Sequence, residues 1–577
     1  MWERFSYYGM RALLVLYLVK QLGWQPSDSS ATYKWYTSLV YLTPLLGGLL
    51  ADRFLGLRAS IITGGVLMAI GHFLMAFPSL PFLYAALAFL IAGNGFFKPN
   101  ISTLVGRMYS QDDPRRNGAF TIFYMGINIG AALSAVVCGQ LREHFGFHYG
   151  FAAAGIGMVL GLVIFLLGQK QVAADVEAVG NTMGVAAKKA AESNEEPDLA
   201  ELREGHRGIA GLISKAIPLL MIGIGAIVPV LSISNFVWGK ARITDVLMPT
   251  AFGIVALVMG ILLRTIRGVA RDKSVVIFVL FAFVVLFWMA FEQAGNALNL
   301  WADYHTDLHL GSFAYPAEYW QSVNPVFIFA LAPLFSVLWL WLARRNLEPS
   351  TPAKMLIAMI LMAASFGAMV AAAQSENQTV SRVALEALPE GALLEKVDAG
   401  RLRYDASTHE LEVRGVLAPF VVTEALEAVA APSYRVELDK LTAPDAESKN
   451  RLLRTKAPAA YAAALDKLAA ESNRARTSGI WLFFSYLFAT IGELCLSPVG
   501  LSMVTKLAPQ RFASLFMGVW LLASSVAQYV GGSLGENWGK VTPTSYFFTF
   551  VWTSCVGAVA LVLLVAPLKR LMHNAVR

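Results

Sequence analysis

Along the 577 residues, apolar positions gather in long unbroken runs instead of alternating or striping. Crossing the ~30 Å hydrocarbon layer as a helix takes about 20 apolar residues. Fourteen stretches meet that need: 5–23, 33–51, 59–78, 81–106, 118–141, 149–168, 210–234, 244–263, 274–302, 316–342, 353–374, 478–502, 512–534 and 546–568. Backbone groups in lipid must be paired within the segment, which favours helices. The runs lack the period-two pattern of a membrane barrel. The run after Arg11 has no basic leader and no small-residue cleavage site, so it reads as a first membrane helix, not a signal peptide.

Two polar interruptions divide this series. Residues 169–209 read as a cytoplasmic linker, part helical, and 375–477 are long enough for a small domain. Within the latter, GRLRYDASTHELEVRG (400–415) alternates like a hairpin, and 446–473 reads as one Ala-rich helix. With the N-terminus placed inside, the short inner loops and tail carry 17 Lys and Arg, including Arg53, Arg107 and Arg344. The opposite loops carry 6: Lys20, Lys34, Arg142, Lys240, Arg242 and Lys540. That bias puts both termini in the cytoplasm and 375–477 outside. A faint repeat links KPNISTLVGR (98–107) to SPVGLSMVTK (497–506), each with a Pro eight positions before a base. Related halves place a substrate site at the midplane between them. The expected plan is a 1–168 bundle, the 169–209 linker, two inserted helices in 210–272, and a second bundle from 273–374 and 478–577 interrupted by 375–477.

Composition agrees: 56% of residues are hydrophobic and 15% charged, with mean hydropathy +0.56. Soluble proteins run nearer roughly 45–50% and 25%. These values exclude a disordered or fibrous chain and a nucleic-acid-binding module. The net charge of +7 is accounted for by the inner loops. Cys138, Cys495 and Cys555 lie in apolar runs without metal-ligand spacing, so they read as free thiols. No bound metal and no enzymatic triad is expected. His72, in an apolar run, reads as a satisfied histidine ahead of a proton relay.

The informative residues are ionisable groups inside apolar helices: Glu3, Arg4, Arg11, Lys98, Glu292 and Glu493. Each costs roughly 2.5–3.5 kcal/mol at a helix centre. At 100° per residue Glu3, Tyr7 and Arg11 share one stripe, overlapped by Arg4 and Tyr8. Guanidinium groups grip carboxylates bidentately, and a carboxylate such as Glu493 suits an ammonium group. Two fixed poles of opposite sign call for a zwitterion of fixed span, and buried carboxylates that trade partners suit coupling to protons.

The motifs resemble those of the proton-dependent oligopeptide transporters. WERFSYYGMR (2–11) resembles the first-helix signature ExxERFxYYG, GGLLADRFLG (47–56) the helix 2–3 loop, and FYMGINIGA (123–131) the FYxxINxG signature. FFKPNIS (96–102), FEQAG (291–295), QSVNPVFI (321–328) and GELCLSPVGLS (492–502) follow in family order. The resemblance implies an all-α polytopic major facilitator fold. It comprises twelve core helices in two six-helix bundles and two extra helices between them, with an extracytoplasmic insertion. It also implies import of di- and tripeptides with protons at the inner membrane, by a monomer with no other cofactor.

The family roles, residue by residue, imply that Arg4 and Arg11 bind the peptide carboxylate and that Arg11 also pairs with Glu292 of the seventh core helix. Tyr7, Tyr8 and Tyr41 line the site. Lys98 is implied near the carboxylate and as partner of Glu493 in a gate between the halves. Asn128 and Asn324 resemble ligands of the peptide amide, Glu493 the anchor of its amino group, and Trp288, Trp520 and Ser524 pocket-lining residues. Glu3, Arg4, Arg11, Lys98, Glu292 and Glu493 form the implied coupling and gating set. The family motif has a further glutamate three residues before Glu3, a place that falls before Met1, so proton coupling is expected to centre on Glu292. The competing readings are a nitrate or other small-anion carrier, which leaves Glu493 without a task, and a sensor working through 375–477.

Overall fold

The computed structural model describes residues 1–577 except 111–112, 114, 181, 185–207, 240–242, 391, 393, 431–433, 435–436, 439–444 and 574–577. Most of the expected linker therefore lies outside the described residues, as do Lys240 and Arg242. A helix occurs at each of the fourteen expected spans. The first half holds α1 (Trp2–Leu16), α2 (Pro26–Leu50), α3 (Gly56–Leu74), α4 (Leu80–Arg107), α5 (Arg115–Phe145) and α6 (Phe147–Ala178). Next comes a hairpin of α7 (Gly208–Val237) and α8 (Ile243–Thr265). The second half begins with α9 (Gly268–Phe291), the short α10 (Ala297–Tyr304), α11 (Trp320–Arg344) and α12 (Thr351–Glu376). After the inserted domain it closes with α16 (Ile480–Leu507), α17 (Ala513–Gly535) and α18 (Pro543–Leu571). By length and apolarity, 11 stretches among the described residues suffice to cross a membrane. One of these, Pro26–Leu74, contains two of the expected spans.

Helices α1–α6 pack on one another, as do α9, α12, α16 and α18, and the halves meet where α2 lies along α17 and α5 along α11. The α7–α8 hairpin leans on α9 and α18. Glycine permits close approaches inside the first bundle: a Cβ on Gly47 would lie 2.0 Å from the Gly95 carbonyl oxygen, and one on Gly64 2.7 Å from that of Gly93. Small residues at such crossings let membrane helices dock backbone to backbone. The GGLLADRFLG segment is helical almost throughout. α2 runs on through a π turn at Ala51–Leu55, and the reversal falls on Gly56 at φ 74°, a left-handed conformation that glycine adopts without steric cost.

Three expectations need correction. The stretch 274–302 is not one helix: α9 ends at Phe291, Glu292–Gly295 form a 3₁₀ turn, and Asn296 (φ −124°, ψ −106°) breaks the path before α10. α6 continues ten residues past its expected end to Ala178, into the segment taken as linker. The helix expected over 446–473 is two, α14 (Ala446–Lys456) and α15 (Ala459–Ser472), because Ala457 is extended ahead of Pro458.

The 400–415 hairpin is present. β2 (Leu402–Asp405) pairs antiparallel with β3 (Glu410–Arg414), which also pairs with β1 (Val380–Ala384). This sheet, α13 (Pro419–Val429), α14 and α15 make up the inserted domain, with Leu402, Leu411, Val413, Val421, Leu426, Leu453 and Leu465 in its core. Glu424 on α13 is half-buried, and desolvation, with Asp398 and Glu427 adding repulsion, pushes its carboxyl up to about 7. A carboxyl raised in the folded state binds more protons there than when unfolded, so stability falls as pH climbs from about 4.5 to about 7. Glu424→Gln is therefore expected to slow amide exchange in α13 severalfold at pH 8 and to leave it unchanged near pH 4. Equal exchange in both proteins at pH 8 would contradict this.

Candidate functional site

A cavity of about 220 Å³ lies between the halves. The first half supplies Tyr8, Arg11, Tyr41, Tyr124, Ile127, Asn128 and Ala131; the second supplies Trp288, Phe291, Glu292, Ala294, Gln321, Asn324, Pro325, Tyr486, Glu493 and Ser524. The break after α9 turns Glu292 toward α1, where its carboxylate pairs with the Arg11 guanidinium; both residues are at most 6% exposed. Arg11 Nε also donates to Tyr33 Oη at 2.8 Å. Gly295 makes room for this group, since a Cβ there would meet Tyr33 Oη at 2.2 Å and Arg11 Nε at 2.7 Å. Across the cavity, Asn324 Nδ2 donates to Glu493 Oε2 and to Thr490 Oγ1, both at 2.9 Å. The cavity thus holds a cation already satisfied by a carboxylate, and a second carboxylate that among the described residues is satisfied only by an amide.

Of the implied substrate-binding residues, Tyr8, Arg11, Tyr41, Asn128, Trp288, Asn324, Glu493 and Ser524 line this cavity. Arg4 and Lys98 do not. They line a neighbouring cavity of about 550 Å³ with Met1, Trp2 and Glu3. Arg4 is spent on the adjacent Glu3, with its Nε 2.5 Å from Glu3 Oε2. Lys98 Nζ sits 3.9 Å above the ring of Tyr41, a cation–π contact through the residue that walls the central cavity. Among the described residues no ion pair joins Lys98 to Glu493. Tyr7 is buried behind Tyr8, their rings edge to face at 5.2 Å, and its hydroxyl has no partner among the described residues. Trp520 is also outside the cavity. Its indole fills the space beside Gly500, where a Cβ would lie 2.6 Å from the ring.

Sequence reasoning passed over Tyr124, Gln321 and Tyr486, which face the cavity. It also missed three ion pairs that join the halves beyond Arg11–Glu292. These are Lys20–Asp303 at 2.9 Å, Lys34–Glu536 at 2.6 Å, and Arg142–Glu318, a two-pronged contact at 2.8 and 2.6 Å. Hydrogen bonds from Asn299 Nδ2 to the Ala12 carbonyl (2.8 Å) and from Ser30 Oγ to Asn296 Oδ1 (2.9 Å) join the same region. All lie toward the end that carries the inserted domain, so the halves are clamped there. The signal was present: Lys20, Lys34 and Arg142 are half of the six bases that defy the charge bias of the loops.

Two bundles with a polar cavity between them, closed at one end by ion pairs, define a membrane carrier of the major facilitator type. The POT family profile matches residues 58–196, 219–390 and 456–545, and the chain belongs to that family. It is 30% identical over 580 residues to the uncharacterized transporter YclF of Bacillus subtilis, covering 99% of this chain and 93% of the relative. It is 28% identical to the peptide transporter YePEPT of Yersinia enterocolitica, over 100% of this chain and 93% of the relative. A di-/tripeptide transporter of Lactococcus lactis is 27% identical over 99% of this chain and 94% of its own length. Among solved structures, that of the peptide transporter POT in complex with sulfate superposes with a TM-score of 0.67 at 26% identity, covering 99% of this chain and 93% of that one.

Proposed function

We propose that this protein is a proton-coupled symporter that imports di- and tripeptides by alternating access across the cell inner membrane. It acts as a monomer with fourteen membrane spans, both termini cytoplasmic and 375–477 outside. The observation that carries this reading is the pairing, in one cavity of a POT-family chain, of the Arg11–Glu292 ion pair with the Glu493–Asn324 pole. Glu493 takes the peptide amino group, while Asn128 and Asn324 bond its amide. Its carboxylate and the proton then act on the same ion pair: a proton on Glu292 removes the claim of that residue on Arg11, and the carboxylate replaces it.

With the inserted domain outside, the clamped end is the outer gate, which the ion pairs hold shut. A ligand shifts such an equilibrium only by its differential affinity for the two states. Breaking Arg11–Glu292 opens the outer gate, and closing the opposite end brings Lys98 toward Glu493. A carrier of nitrate would leave Glu493 unused, so the peptide reading accounts for more of the cavity.

The test is uptake of labelled dialanine by proteoliposomes under an inward proton gradient. Accumulation that collapses with the gradient is expected, and its absence overturns the coupled reading. Lys98→Ala is expected to lower this uptake to background. Undiminished uptake would contradict the role given to Lys98.

A further inference from the structure

The inserted domain touches both halves at the clamped end, and it does so through two different kinds of contact. On the second half it is fixed by a buried charge cluster. Glu376, the last residue of α12, accepts from Arg401 Nη1 at 3.0 Å and from the Val416 backbone N–H at 3.0 Å, and lies 3.0 Å from His305 Nδ1. Arg401 Nη2 also donates to Asp398 at 2.9 Å. All four side chains are at most 6% exposed. His305 directly follows α10, whose eight residues are all buried and which carries Asn299 and Asp303 of the outer clamp. Breaking a buried charge network of this kind is costly, because each partner left behind is an unpaired buried charge. This side is a fixed anchor.

On the first half the contact among the described residues is slight. Gly23, in the turn between α1 and α2, lies against Ala446 at the start of α14; a Cβ on Gly23 would sit 2.9 Å from Ala446 Cα. Lys449 Nζ, paired with Glu427 at 2.7 Å, reaches the Gly23 carbonyl at 3.4 Å. Around this point a groove of about 840 Å³ separates the domain from the ends of the first-half helices, lined by Trp24, Asp28 and Tyr84 on one side and by Glu427 and Asp445 on the other. A firm anchor on one half with a small separable contact on the other is the form of a clasp. The POT profile leaves residues 391–455 unmatched, and Arg401, Ala446 and Lys449 fall within them.

We infer that the inserted domain is an outer clasp: it rides with the second half and parts from the Gly23 turn each time the carrier opens outward. Resting on the transporter reading above, the inference makes the Gly23–Ala446 contact a brake on the outward-open state. Gly23→Cys with Ala446→Cys, in a Cys555→Ser background, places two thiols at this contact. Oxidation is expected to cross-link them and to reduce peptide uptake at least tenfold, and reductant should restore it. Uptake by the reduced protein checks the transporter reading separately.

A second variant avoids the strain of a cysteine at the positive φ of Gly23 and needs no substrate. Ala446→Arg drives a long side chain into the contact. It is expected to speed labelling of Ser524→Cys by an impermeant maleimide from the outside severalfold. A cross-link that forms with uptake undiminished, or labelling that Ala446→Arg leaves unchanged, overturns the clasp.

Discussion

Glu292→Gln is expected to abolish gradient-driven peptide uptake while peptide exchange at equal pH on both sides continues. Glu292 is 5% exposed and its only ion-pair partner among the described residues is Arg11, 6% exposed, in the opposite half. Glutamine keeps the shape and can still accept from Arg11, but it neither carries the charge nor takes up a proton. Removing one partner of a buried ion pair costs about 3–5 kcal/mol, and about 1.4 kcal/mol is tenfold in an equilibrium. The balance between outward-open and inward-open states should therefore move by two orders of magnitude or more toward release of the outer clamp. Gradient-driven accumulation needs a site that alternates between charged and neutral, and the variant is fixed in the neutral form. Counterflow of labelled against unlabelled dialanine, run beside gradient-driven uptake, separates the two. Loss of both would mean that Glu292 serves binding or folding instead of coupling.

Glu493→Gln is expected to weaken peptide binding by at least about 30-fold with little change in thermal stability. Glu493 faces the cavity and takes one hydrogen bond, from Asn324, with no ion-pair partner among the described residues. Its removal therefore strands no buried cation in the empty protein. With peptide bound, the ammonium group loses its counter-charge. Truncating one partner of such a pair costs about 2–5 kcal/mol, which at about 1.4 kcal/mol per decade gives the stated loss. Binding calorimetry with dialanine measures it. An unchanged affinity would remove Glu493 from the amino-group pole.

The helices were legible because lipid leaves the backbone so little choice: a run of about 20 apolar residues is a helix wherever it falls. Charges inside those runs were equally legible, since nothing but function or pairing repays their cost. Arg11, Glu292 and Glu493 were found in this way and meet in one cavity. Which partner a charge chooses was harder to read. Arg4 turns to the neighbouring Glu3 where the resemblance implied a peptide carboxylate, and Lys98 to the ring of Tyr41 where it implied Glu493.

The break at Glu292–Asn296 was hidden inside an apolar run that hydropathy treats as continuous, although Gly295 and Asn296 mark it. Trp520 was misplaced because Gly500, on the preceding helix α16, gives its indole a seat outside the cavity. The end of α14 was readable from Pro458. The clamp of Lys20, Lys34 and Arg142 required knowing that α2 lies along α17 and α5 along α11, which no local pattern encodes.

The claim beneath all of this is that the cavity recognises the two charged ends of one short peptide at opposite walls. Its most direct test is calorimetric titration of the purified full-length protein with dialanine, N-acetyl-dialanine and dialanine amide. Blocking either end is expected to weaken binding by at least about 30-fold, the cost of stranding a buried charge, and the N-acetyl penalty should vanish in Glu493→Gln. Equal affinity for all three compounds would contradict the account.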